Sequence, residues 1–388
     1  MQRPSCMCQA IKSWSLTILF LMYTFLCTLY TGSKMTGQYD GDLVGINEIA
    51  EMAGVSRQAV TNWRARATDF PNPVSELASG PIFRRSQIRS WLRRNKRKLP
   101  MTQIISVINF KGGVGKTTTT VAMAETFSAE MGKKVLVIDL DPQTNATLML
   151  IGEDRWFDLN AKGHTLATLF MDALDPDNKR FNLGAALQRR VSDVDAARTV
   201  DLLPSSLDLI DVQDRLAGVP SGKYYAVNPV DLLSRAVKSI LDNYELVLID
   251  CPPNLGIITL NGLRISDGYI IPTIPDHLST YGIPQILTRV KEFGRAIDET
   301  IEPLGIVVTK YQANSTVHNN TLRQLKQDDD FPKIYEQVIK QSNTMSAAAE
   351  FATSKRTLRQ KYGAGANGLA SDFIGLATEL WATLEVEA

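Results

Sequence analysis

The stretch Asn109-Phe110-Lys111-Gly112-Gly113-Val114-Gly115-Lys116-Thr117-Thr118 decides how this chain reads. It follows the apolar run Ile104-Ile105-Ser106-Val107-Ile108 and opens a helical segment, Thr119 to Ala129. A strand, a glycine-rich turn and a helix N-terminus make a phosphate cradle. Glycines let backbone N–H groups converge on the anion, and the helix dipole adds positive potential. In such a loop Lys116 supplies a point charge for the β- and γ-phosphates, and the Thr117 hydroxyl a ligand for Mg²⁺. The usual pattern places a glycine five residues before Gly115, where this chain has Phe110. It carries instead a second lysine, Lys111, at the mouth of the loop.

The 388 residues suffice for two or three domains with a sizeable core. With 42 Lys and Arg against 41 Asp and Glu, the whole chain has no strong electrostatic character. The charge is unevenly placed, however. Arg84, Arg85, Arg89, Arg93, Arg94, Lys96, Arg97 and Lys98 follow one another with no acid between them, which suggests an anionic partner or a solvated helix face. Cys6, Cys8, Cys27 and Cys251 form no Cys-x-x-Cys, which argues against a thiolate metal site and suits a reducing cytosol. From Ser13 to Ser33 no charge appears, and Leu16 to Tyr30 is mostly apolar. This segment is near the lower limit for a membrane span, or resembles a signal h-region preceded by Arg3 and Lys12. Translation starting at Met35, with residues 1–34 an over-extended start, agrees better with a cytosolic phosphate site than an anchor does.

Residues 35–100 read as a small DNA-binding domain. Leu43 to Ala53 has helical spacing, Gly54-Val55 breaks it, and Ser56 caps a second helix, Arg57 to Arg66. Two short helices joined by a tight turn are the helix-turn-helix pattern. The second helix would expose Arg57, Gln58, Thr61, Asn62 and Arg64, types that reach base edges and phosphates, with Ala59, Val60 and Trp63 inward. Beyond Pro71 and Pro73, Gly80-Pro81-Ile82-Phe83-Arg84 reads as a short wing. Ser86 to Arg94 reads as a third helix with Ile88, Trp91 and Leu92 inward. Arg84 and Arg85 join the expected DNA contacts. The layout resembles the winged helix-turn-helix domains of the excisionase and MerR-like group.

Residues 101–388 read as an α/β domain with a mostly parallel central sheet flanked by helices. Apolar β-type runs recur at 104–109, 135–140, 200–203, 245–249, 269–273 and 304–309, with helical patterns between most of them. Val135 to Ile138 delivers Asp139 and Asp141 to the carboxyl edge of the sheet, where ligands bind. Leu246 to Ile249 delivers Asp250 to the same edge, in the manner of a Walker B strand holding Mg²⁺. Neither carboxylate motif says much alone, but their order beside the loop fits one phosphate site.

Lys-Gly-Gly-x-Gly-Lys-Thr-Thr, then Asp-x-Asp-Pro-Gln, then Asp-Cys-Pro-Pro, resembles the ParA family of partition ATPases, in the deviant Walker A group with MinD and the nitrogenase iron protein. Asp201 to Leu209, Leu278 to Gly282 and Gly305 to Tyr311 agree with it. The resemblance implies a P-loop NTPase that uses ATP and Mg²⁺ and forms an ATP-bound homodimer. It implies that Lys111 reaches the partner's phosphates, that Gly112 to Thr118 cradle the nucleotide, and that Asp141 positions the attacking water. Thr117, Asp139 and Asp250 would surround the metal, and Thr309 and Lys310 would approach the adenine. The dimer would bind DNA nonspecifically, a ParB-like protein would stimulate hydrolysis, and the helix-turn-helix would bind an operator. A cytoplasmic, nucleoid-associated protein follows. Related roles are the positioning of a protein cargo on the nucleoid and ATP-responsive repression of transcription. Lys340, Lys355, Arg356, Arg359 and Lys361 are the candidate nonspecific DNA patch, with ordinary surface charge an equal reading. Leu369 to Leu384 is amphipathic, but its polar residues Asp372 and Glu379 are acidic, which predicts a docked helix and not a membrane anchor.

Overall fold

Six apolar runs become six strands of one parallel sheet: β1 (Gln103–Val107), β2 (Val135–Asp139), β3 (Val200–Leu203), β4 (Leu246–Asp250), β5 (Gly268–Thr273) and β6 (Glu302–Val308). Their order across the sheet is β3-β2-β4-β1-β5-β6. The computed structural model describes residues 43–95, 102–175, 177–218, 228–365 and 368–386. The segment 1–34, the start at Met35, and Lys96, Arg97 and Lys98 lie outside the described residues.

β1 to β5 are buried along their whole length, as parallel strands covered on both faces must be. Alternation divides each strand between two cores. On β2, Val135 and Val137 face one apolar cluster while Leu136 and Ile138 face the other. The first core is closed by α1 (Lys116–Met131) and by the last helix, α6 (Ala370–Val386). α2 (Asn145–Ala161) contributes to it as well. The second core is closed by helices that include α3 (Ile257–Ile265) and α4 (Ile283–Ala296). In chain order α5 (Thr316–Gln327) follows β6. The amphipathic C-terminal pattern is a docked helix. Phe373, Leu376 and Leu380 of α6 are fully buried, and Trp381 meets Phe127 of α1 edge-on at 5.8 Å. Among the described residues no helix is long and apolar enough to cross a membrane.

Ahead of the sheet, helices Ile46–Met52 and Arg57–Arg66 are joined through Gly54, whose φ of +60° suits glycine. A hairpin of Ser75–Leu77 against Gly80–Arg84 and a helix, Arg85–Arg94, follow. The Ser56 side chain accepts from Ala59 N, as an N-cap should. The first helix begins at Ile46 and not at Leu43, because Gly45 is extended (φ −92°, ψ −178°) and donates its N–H to the Glu48 carboxylate at 3.1 Å. Val60, Phe83, Ile88, Trp91 and Leu92 are fully buried, and Phe70 packs on Trp91 at 4.7 Å. Gln87 Nε2 donates to the Asp298 carbonyl at 2.9 Å and to its carboxylate at 3.1 Å, tying this region to the end of α4.

Candidate functional site

The β1–α1 loop is held open from both sides. Asn109 Nδ2 donates to the Pro272 carbonyl at 2.8 Å, while its Oδ1 accepts from Lys111 N at 2.9 Å. Thr309 Oγ1 donates to the Val114 carbonyl at 2.7 Å, so this threonine braces the loop. Gly113 and Gly115 have φ of +75° and +89°, and a Cβ on Gly112 or Gly113 would meet nothing within 4 Å. That is the open, left-handed backbone that lets an anion approach N–H groups closely. Lys116 begins α1, is buried, and donates Nζ to the Lys111 carbonyl at 3.2 Å. Burial pulls its ammonium down from the usual lysine range, against the opposing charges of Asp250 and Asp141.

The three aspartates meet there. Asp139 and Asp250 are register partners at the carboxyl edge of β2 and β4. Asp250 is fully buried and its carboxyl is pushed well above the usual range, first by burial and then by Asp139, with Thr117 hydrogen-bonding against the shift. Its Oδ1 accepts from Thr120 Oγ1 at 3.4 Å, while Oδ2 is buried without a partner. An orphaned carboxylate oxygen beside the Thr117 hydroxyl suits a hard cation shared with phosphates. Among the described residues no group of three or more His, Cys, Asp or Glu could hold a metal ion. Asp139 differs from the expectation of a metal neighbour. Its Oδ2 accepts from Thr147 N at 2.9 Å and Thr147 Oγ1 at 2.7 Å, and its Oδ1 from Asp141 N at 3.1 Å. Both oxygens are engaged in shaping the β2–α2 turn, and burial pushes its carboxyl up to about 7. Asp141 is 6 % exposed, with Oδ1 accepting from Gln143 N at 2.9 Å.

Gly112, Gly113, Gly115, Lys116, Thr117 and Thr118 line a cavity of about 1060 Å³, together with Asp141 and Lys310. Its further lining comes from Ala349, Glu350, Phe351 and Thr353, which sequence reasoning did not select. No periodicity marks them. One structural trace is Gly152, at φ +74° inside α2, where a Cβ would come within 2.9 Å of the Phe351 ring.

Lys111 is held by the segment between β5 and α4. Its Nζ donates to Ser279 Oγ at 2.7 Å and pairs with Asp276 at 3.4 Å. Burial tends to raise the Asp276 carboxyl, but hydrogen bonds from Ser279 and the Lys111 ammonium outweigh it and hold it below the usual carboxylate range.

The cationic residues fall into different settings. Arg57, Gln58, Thr61 and Asn62 are exposed on one helix, whereas Arg64 is ion-paired with Glu76 of the hairpin. Arg84 and Arg85 do not project from a wing tip. Arg84 lines a cleft with Arg295, Asp298 and Glu299, and Arg85 one with Lys133, Lys134 and Glu245, so both face the α/β domain. The C-terminal set is not a free basic patch. Arg356 pairs with Asp193 at 2.7 Å, Lys340 with Asp372 at 3.3 Å, and Lys361 is fully buried between Glu125 and Asp193. Lys355 is exposed but donates to the Ser192 carbonyl at 2.6 Å.

Residues 102–303 match the AAA domain family. The chain is 30% identical over 248 residues to the sporulation initiation inhibitor protein Soj of Bacillus subtilis, covering 64% of this chain and 88% of that one. It is 31% identical over 223 residues to the chromosome-partitioning ATPase Soj of Thermus thermophilus, covering 57% and 75%. Among solved structures, cobyrinic acid a,c-diamide synthase from Mycobacterium smegmatis with bound ADP and magnesium superposes with a TM-score of 0.53 at 26% identity, over 72% of this chain and 93% of that one. An ATP complex of a single-residue variant of Cyanothece McdA shares the fold, with a TM-score of 0.57 at 21% identity over 73% and 97%.

Proposed function

Because the chain belongs to the ParA/MinD family of P-loop ATPases, whose members act in positioning and partition, we propose that it is an ATP-driven partition switch. Gly112 to Thr118 would hold ATP with Mg²⁺, and two subunits closed on their nucleotides would hold DNA without sequence preference. The observation that carries this reading is Lys111, partly exposed at the mouth of the loop with its ammonium on Asp276 and Ser279.

Lys116 fixes the β- and γ-phosphates from within the subunit. Thr117 and Asp250 would hold Mg²⁺, which when bound would supply charge to offset what builds up on the phosphoryl oxygens. Asp141, buried beside Lys116 at the cavity wall, orients the attacking water. Lys111 exchanges Asp276 and Ser279 for the partner's phosphates, so the site is complete only in the dimer, as with an arginine finger. ATP thereby favours the closed dimer, and a ParB-like partner that speeds hydrolysis releases it. Residues 35–100 form a winged helix-turn-helix that binds the operator through Arg57, Gln58, Thr61 and Asn62, with Arg84 and Arg85 on the inner side. Such a protein works in the cytoplasm, on the nucleoid.

Lys111→Ala tests the reading. ATP binding should survive while ATP-dependent dimerisation, followed by analytical ultracentrifugation, and partner-stimulated turnover are lost. Dimerisation and turnover equal to wild type would overturn the trans role of Lys111.

A further inference from the structure

The nucleotide cavity has a wall from the far end of the chain, and a buried charge cluster holds that wall. Asp193 is its centre, 1% exposed. One oxygen, Oδ2, accepts from Ala352 N at 3.0 Å and from Arg356 Nε at 3.0 Å; the other accepts from Lys361 Nζ at 2.8 Å. Arg356 Nη2 also donates to the Glu350 carbonyl at 2.7 Å. Two backbone groups of the cavity-lining segment 349–353 are thus fixed directly by Asp193 and Arg356. Lys361 continues the cluster to Glu125 Oε1 at 2.8 Å, and Tyr362 OH donates to Glu125 Oε2 at 2.6 Å. Glu125 lies on α1, the helix that starts at Lys116. Two cations and two anions balance, as burial requires.

We propose that Asp193 and Arg356 are positioning residues for the nucleoside: they set the segment 349–353 as the cavity wall and lock it, through Lys361 and Glu125, to the helix that carries the phosphate loop. This rests on the cavity being the ATP site. The phosphate loop is braced by Asn109 and Thr309, neither of which touches the cluster. Loss of the cluster therefore loosens the nucleoside end of the ligand and leaves the triphosphate end unchanged.

Arg356→Ala is the informative variant, since Arg356 is at the rim of the cluster with its side chain 20% exposed. The full chain is titrated with methylanthraniloyl-ATP, then with ATP, GTP and inorganic tripolyphosphate as competitors, all with Mg²⁺. ATP affinity should fall about tenfold, because the segment 349–353 loses the Arg356 contacts that order it before the ligand arrives. Preference for ATP over GTP should narrow, and tripolyphosphate should compete as in wild type. Arg356→Lys, which keeps the charge opposite Asp193, should restore part of the loss. Asp193→Asn, which keeps an acceptor for Ala352 N, should weaken ATP less than Arg356→Ala. ATP affinity unchanged in Arg356→Ala, or ATP and tripolyphosphate weakened together, would overturn the proposal. A wild-type chain that binds neither ligand would instead overturn the ATP site itself.

Discussion

At the scale of single residues, the site separates into groups readable from spacing and groups that are not. Lys116, Thr117, Asp141 and Asp250 were legible because a strand-turn-helix and a strand end each place a side chain at a fixed edge of the sheet. The holders of Lys111 were not, because Asp276 and Ser279 are 165 and 168 residues away and meet it only once β5 lies beside β1. Asp276 gives a pH-dependent prediction. Its carboxyl is held below the usual range in the fold, so its stabilising contribution is present above the unfolded value and lost as pH falls through the folded one. Its side chain is 30% exposed, which limits the pair to under about 1 kcal/mol. Asp276→Asn should lower the melting temperature slightly at neutral pH. The gap to wild type should close in acid, as thermal melts across a pH series would show.

At the scale of elements, the six strands of the large sheet were legible from their apolar runs, with ends that moved where hydrogen bonding decided, whereas the exposed strand Ser75–Leu77 has no apolar run to mark it. β6 begins at Glu302 because Glu302 pairs with Gly268 before the apolar part begins. The capped helix Arg57–Arg66 matched its signals from Ser56, whereas the helix before it lost its first residues to an extended Gly45. The acids of α6 were legible as incompatible with an anionic membrane, and their tertiary use is now visible. Asp372 pairs with Lys340, and Glu379 accepts from Glu336 N at 3.0 Å and Gln337 N at 3.1 Å, so this face ties down the strand-like segment beside β6. The apolar face beside these acids carries the energy. Phe373→Ala should cost about 3–5 kcal/mol by removing a buried ring, as urea denaturation of the full chain would measure. A cost under about 1 kcal/mol would mean the helix is not part of the core.

At the scale of the molecule, the proposed function separates operator binding by the helix Arg57–Arg66 from ATP-dependent DNA binding by the closed dimer. Arg57→Ala with Asn62→Ala should abolish operator binding in a footprinting assay and spare ATP-dependent binding to random-sequence DNA. Loss of both would mean the division of roles is misdrawn. Where the nonspecific surface lies was not legible, because a sequence cannot show which cations find buried acids. Arg356, Lys361 and Lys340 all do. The same cluster bears on how the chain is made. A ribosome delivers Glu125 with the phosphate loop early and Lys361 near the end, so a nascent chain has a carboxylate destined for the interior with no counter-ion to accompany it. A product truncated before Lys361 is therefore left with the Glu125 carboxylate to bury and no ammonium to pair it.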